Sequence, residues 1–118
     1  FEKLHTEFMS NKILNKLKNL EKEENIPTLL ICWTPEYLPY FLNDKFASER
    51  LVKLKYNGKE FNTISCIIDE YKELEIQHDS NTLHNDGGDG HPSLECNRII
   101  RDAVLDKINE RINLENNE

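Results

Sequence analysis

A chain of 118 residues fits one domain with a modest core, able to bury roughly two-thirds of the surface its unfolded form exposes. With 22 acidic residues against 15 basic ones the formal net charge is −7, which argues against a phosphate-binding surface, so no nucleic acid is expected as a partner. No apolar run approaches the roughly 18 residues that cross a bilayer and no signal-peptide pattern opens the chain, so no membrane span is expected either.

The first segment predicts a helix. Leu4, Phe8, Ile13, Leu14, Leu17 and Leu20 recur at spacings mostly of three and four, with Lys12, Lys16, Lys18 and Glu21 outside the stripe. The charged run Glu21 to Asn25 ends it, and Pro27 stops helical continuation. Thr28 to Trp33 is a continuous apolar run of the kind found in strands buried on both faces, which are mainly parallel strands covered by helices. The expected fold class is therefore α/β, with three layers: a parallel sheet flanked by helices.

Thr34 to Phe41 is punctuated by prolines and reads as a loop or short helix, and Asn43 or Asp44 suits the cap of a helix running to about Leu54. Tyr56-Asn57-Gly58 is a turn. The β-branched cluster Thr63, Ile64, Ile67 and Ile68 predicts a second strand over Phe61 to Ile68, with a helix through Leu74 as the competing reading. From Ser93 the chain is helical again: Cys96, Ile99, Ile100, Ala103, Val104, Ile108 and Ile112 form one face, and Asp102, Lys107, Glu110 and Arg111 the other. The tail over 114–118 reads as frayed, and residues 1–118 as a single domain or the C-terminal segment of a larger one. Cys32, Cys66 and Cys96 are odd in number and lie in or beside apolar runs, which suits buried thiols and favours a reducing compartment.

The chemistry concentrates before the last helix. Asp89 and His91 are separated by one glycine, so a turn can bring the carboxylate to the imidazole Nδ1, fix its tautomer and aim Nε2 outward as a general base. The same run, Asn85 to Gly90, also suits an ordinary polar turn, and the residues alone leave both readings open.

The run Asp89-Gly-His-Pro-Ser93, followed by Asn97-Arg-Ile-Ile100 on a terminal helix, resembles the last block of the SGNH (GDSL-like) hydrolases, a family of α/β esterases and acyl-handling enzymes. The order of elements resembles that family too, with a helix leading into an apolar strand like Ile26 to Trp33 and an Asp/His loop before the final helix. The resemblance implies a partial SGNH or flavodoxin-like fold in which His91 is the general base of a Ser-His-Asp triad and Asp89 its orienting carboxylate. It implies ester hydrolysis, with a carbohydrate O-acetyl ester as a substrate class and no cofactor.

The sequence departs from the pattern in two places. The usual family spacing is Asp-x-x-His, whereas Asp89 stands only two residues before His91, and Asp86 is the reserve candidate for the carboxylate. The Gly-Asp-Ser nucleophile motif is not recognisable among Ser10, Ser48, Ser65, Ser80 and Ser93, and His78-Asp79-Ser80 are neighbours that rarely converge as a triad. The implied partner is a complementary N-terminal segment carrying the nucleophile.

Two readings of other classes compete. His78, Asp79, His84, Asp86, Asp89 and His91 put six potential ligands in fourteen residues and would suit a zinc-binding module, although the spacing matches no known finger or protease motif. A non-catalytic binding domain would use Trp33, Tyr37, Tyr40 and Phe41 at the end of the apolar strand to stack on a sugar or a partner.

Overall fold

The computed structural model describes residues 2–77 and 88–116, leaving the side chains of Glu2 and Asp89 outside that description. Helix α1 spans Glu2–Lys22, as its periodicity predicts, and the second half of the expected stripe packs inward, with Leu14 buried and Ile13 and Leu17 partly buried beside it, while the first half does not. Thr6, Ser10 and Leu14, four residues apart, are buried, whereas Leu4 and Phe8 are 71% and 62% exposed. The inward face meets a short second helix, α2 (Leu38–Leu42), with Leu14 and Phe41 in one apolar cluster and Thr6 donating to Glu36 at 3.5 Å. After α1, Asn25 adopts a left-handed φ of 57°, which asparagine tolerates, and the Ile26 amide donates to the Leu20 carbonyl at 2.8 Å.

The apolar run Thr28 to Trp33 is extended, yet it is not a strand buried on both faces. Leu30 and Cys32 are buried, while Ile31 and Trp33 are 43% and 47% exposed, the period-two pattern of a segment covered on one side. Its parallel pairing amounts to isolated bridges, Leu30 with Leu51 and Cys32 with Thr63. Each partner is captured at once by local structure. Beyond Leu51 the chain enters strand β1 (Leu54–Tyr56) and its hairpin mate β2 (Lys59–Phe61), and beyond Thr63 it enters helix α4 (Ile64–Glu70). Closing a short loop costs less chain entropy than extending a non-local parallel ladder, so the local elements prevail.

Helix α3 (Lys45–Arg50) is started by Asp44, whose carboxylate accepts the Ala47 amide at 3.0 Å, and it stops four residues short of the expected Leu54. The β1–β2 turn is Asn57-Gly58, with φ of 51° and 76°. Left-handed conformations at both central residues make it the type I′ hairpin turn, and the register is regular from Leu54↔Phe61 to Tyr56↔Lys59. The predicted strand over Phe61 to Ile68 is replaced by α4 from Ile64 onward. Thr63 accepts the Cys66 amide at 3.1 Å as a cap, and Ile64, Ile67 and Ile68 are all buried at helical spacing.

A 3-10 turn (Lys72–Leu74) leads into β3 (Glu75–Gln77), which pairs antiparallel with β4 (Gly88–Pro92). Helix α5 (Leu94–Asn116) follows, started by the Ser93 hydroxyl, which accepts the Cys96 amide at 3.2 Å. It continues past Leu114, where fraying was expected. The three-layer α/β architecture with a parallel sheet flanked by helices is thus corrected: the chain is mostly helical, and its described strands form two separate antiparallel pairs.

The larger core gathers Val52, Leu54, Ile64, Ile67, Ile68 and Leu74 against Cys96 and Ala103 of α5. Tyr71 closes one side, edge-on to Tyr56 at 4.8 Å and to Phe61 at 6.0 Å. The front half of the expected α5 face packs there, but its later members Ile108 and Ile112 are exposed, as is Leu105, which lies outside that face. Cys32 and Cys96 are buried and burial pushes both thiols upward in pKa, while Cys66 is exposed, against expectation. No described helix is long and apolar enough to cross a membrane.

A buried guanidinium ties α1 to α3. Arg50 donates through Nε to Glu21 Oε2 at 2.8 Å and through Nη2 to Glu21 Oε1, and its plane lies 3.7 Å from the Phe46 ring centroid. The Arg50 hydrogen bonds, helped by Thr28, hold the Glu21 carboxyl down at about 2 from an ordinary 4.5, against a smaller opposing effect of burial.

Candidate functional site

The β3–β4 pair is irregular where the candidate residues lie. Glu75 pairs with Pro92 and Gln77 with Gly88, so Ile76 alone faces the three residues Asp89, Gly90 and His91. The surplus residues bulge out of β4, and bulges of this kind re-aim side chains near functional sites. Gly90 takes a φ of 82°, a left-handed conformation that a side chain at this position would strain. The bend is therefore written into the Asp-Gly-His sequence.

Hydrogen bonds from the Gly90 and Ser93 amides tie the bulge and its flank to the rest of the fold. The Gly90 amide donates to Glu75 Oε2 at 2.7 Å, and the Ser93 amide donates to the Leu74 carbonyl at 2.7 Å. Glu75 is only 8% exposed, so its carboxylate is a buried acceptor directed at the one backbone amide in the centre of the bulge. A charged acceptor makes a bond roughly twice as strong as a neutral one. Downstream, Ser93 fixes the start of α5, and Cys96 on its first turn is fully buried in the larger core.

His91 lies on the exposed side of this strand, two residues before the cap of α5. Asp89 lies in the same bulge, two residues earlier, although its carboxylate is outside the described residues. Asp86 is outside them as well, together with His78, Asp79, Ser80 and His84, which removes most of the zinc-module reading from view. Among the described residues no group of three His, Cys, Asp or Glu side chains could hold a metal ion.

Among the described serines, one is sealed in the core, and three are bonded within their own helices or caps. Ser10 is fully buried in α1, and its hydroxyl has no partner among the described residues. Ser48 donates to the Lys45 carbonyl within α3, Ser65 lies 3.4 Å from the Thr63 hydroxyl, and Ser93 caps α5. The residue that sequence reasoning missed is Glu75. It sits fifteen positions before Gly90, in an acidic stretch that looks like a solvated face, and only the strand pairing reveals its direction.

The aromatic candidates divide. Phe41 is buried and stacks with Tyr37 at 6.3 Å, while Trp33 is exposed beside an open cleft of about 210 Å³ lined by Ile31, Cys32, Tyr37 and Phe41. Phe41 is thus a core residue, and Trp33 with Tyr37 supplies the accessible aromatic surface.

Comparison with family models, with curated proteins and with solved structures gives no match to this chain. The parallel-sheet α/β scaffold implied by the Asp89 to Ile100 block is corrected by the strands themselves: the block sits on a bulged antiparallel pair beside a helical body.

Proposed function

We propose that the bulged strand β4 carries the proton-handling half of an acyl-ester-cleaving site, with His91 as general base and Asp89 as its orienting carboxylate. The observation that carries this reading is the Asp89-Gly90-His91 bulge, pinned on one side by buried Glu75 and on the other by the capped start of α5. A base must hold its aim through the reaction, and a pinned bulge confines it better than a free turn.

In this reading a complementary segment brings the serine. His91 Nε2 takes the proton of the serine hydroxyl as its oxygen adds to the ester carbonyl, and then passes that proton to the departing alcohol. Water enters by the same route in reverse and releases the acid. Asp89 stays ionised and stabilises the imidazolium. The substrate class is an acetyl ester, with an O-acetylated carbohydrate as the first choice.

The test is turnover of a small chromogenic acetyl ester by the full chain, by its His91→Ala variant, and by each after addition of a polypeptide bearing a Gly-Asp-Ser block. The chain alone is expected to be inactive and the mixture active only with His91. Turnover by the chain alone, unchanged in His91→Ala, overturns the reading.

A second reading, sugar binding without turnover, is supported by exposed Trp33 and half-buried Tyr37 at the 210 Å³ cleft. Calorimetry with an unmodified oligosaccharide separates the two. Binding heat that disappears in Trp33→Ala supports the binding reading, and no heat in the parent chain removes it.

A further inference from the structure

A buried carboxylate is costly unless something inside the fold uses its charge. Glu75 is more than nine-tenths buried, and its side chain reaches across the β3–β4 pair to a backbone amide. That amide belongs to Gly90, the residue whose left-handed φ of 82° sets the direction of the bulge. The register shows why a side chain is needed there. Ile76 alone faces the three-residue bulge, so the ladder cannot satisfy every amide of Asp89, Gly90 and His91. Glu75 Oε2 takes the place of a missing strand carbonyl, at 2.7 Å.

The backbone of Glu75 is held independently. Its residue pairs with Pro92, and Leu74 just before it is fully buried and accepts the Ser93 amide. The carboxylate therefore stands on a rigid base and transmits that rigidity to the peptide between the two candidate functional residues. We infer that Glu75 is a positioning residue for the Asp89–His91 pair, acting through the Gly90 amide to hold the imidazole in one orientation and one tautomer.

This inference rests on the proton-handling reading of His91, and the experiment keeps the two separable. The full chain is labelled with ¹⁵N in histidine, and the His91 ring nitrogens are read at alkaline pH. Asp89→Asn examines the underlying pair: parent His91 is expected as the Nδ1–H tautomer, and the variant as the Nε2–H form that a free imidazole favours. If Asp89→Asn leaves the tautomer unchanged, the pair itself fails, whatever Glu75 does, and the positioning role falls with it.

Two conservative variants then test Glu75. Glu75→Gln keeps an oxygen at the same reach without the charge, and Glu75→Asp keeps the charge but withdraws the oxygen by one carbon–carbon bond. A positioning role predicts that Gln preserves the Nδ1–H tautomer and Asp loses it, with the fold of both confirmed by the dispersion of their amide spectra. The opposite pattern makes Glu75 a through-space charge, an unchanged tautomer in both makes it irrelevant to His91, and loss in both makes it a general structural residue. Each of those three outcomes overturns the inference.

Discussion

The described residues hold two small antiparallel pairs, and they solve the same problem in opposite ways. The β1–β2 pair is closed by Asn57-Gly58, keeps strict register, and gives the larger core a buried Leu54 opposite Phe61. The β3–β4 pair breaks register around Ile76 and needs the Glu75 carboxylate to satisfy an amide that a regular ladder would have satisfied. Regular pairing yields apolar packing, and irregular pairing places the exposed His91 beside a backbone held by a buried carboxylate. The difference teaches where to look for chemistry: in the pair whose geometry requires a specific side chain to sustain it.

The largest effect expected from breaking this contrast is on the regular pair. Leu54→Ala removes a side chain that is 1% exposed, and should cost about 2–5 kcal/mol in chemical denaturation while leaving the His91 ring signals in place. A loss below about 1 kcal/mol would show that β1 is not anchored as described.

Next in size is a contribution outside both pairs. Arg50→Ala deletes a guanidinium that bonds Glu21 and stacks on Phe46, and is expected to cost about 2–3 kcal/mol, below the full range for buried pairs because Glu21 is partly exposed. The pair also sets an acid limit. The folded Glu21 carboxyl titrates at about 2 and the unfolded one near 4.5, so its stabilisation is complete above 4.5 and disappears as the pH falls towards 2. In Arg50→Ala the pH slope of the unfolding midpoint over that window should flatten, and an unaltered slope would assign acid sensitivity to other carboxylates.

The smallest and sharpest comparison uses one substitution in both pairs. Gly58→Ala and Gly90→Ala each force a methyl-bearing residue into a left-handed conformation with open space around it, at a cost of about 1–2 kcal/mol in each case. Their stabilities should therefore be similar, and only Gly90→Ala should shift the His91 ring nitrogens. Equal spectral effects from both would mean that the bulge has no special hold on the imidazole.

Much of this fold was readable in the sequence wherever local signals act alone. Both long helices, the Asn57-Gly58 turn and the Asp44 cap follow from periodicity and residue chemistry within a few positions. The parallel sheet was misread because an unbroken apolar run does not reveal whether its alternate members are covered. Ile31 and Trp33 are as apolar as Leu30 and Cys32 but face outward. The Thr63 to Ile68 segment was misread because β-branching was weighed above the spacing of Ile64, Ile67 and Ile68, which a capped helix buries on one side. The candidate pair Asp89 and His91 was legible as residue types, while the backbone bulge that carries them was not. It depends on pairing with Glu75 and Gln77, set by strand register and not by any neighbouring residue.

The outward-facing stripe of Leu105, Ile108 and Ile112 on α5 has a colloidal consequence. Three apolar side chains on successive turns of one helix form a sticky seam, and the net charge of −7 is what sets two copies at a distance from each other. That repulsion reaches about 8 Å at physiological ionic strength and about 3 Å in molar salt. Salt is therefore expected to act on this chain as a control on self-attraction: screening its charges or protonating its carboxylates should favour crowding along α5, which light scattering at rising ionic strength would register.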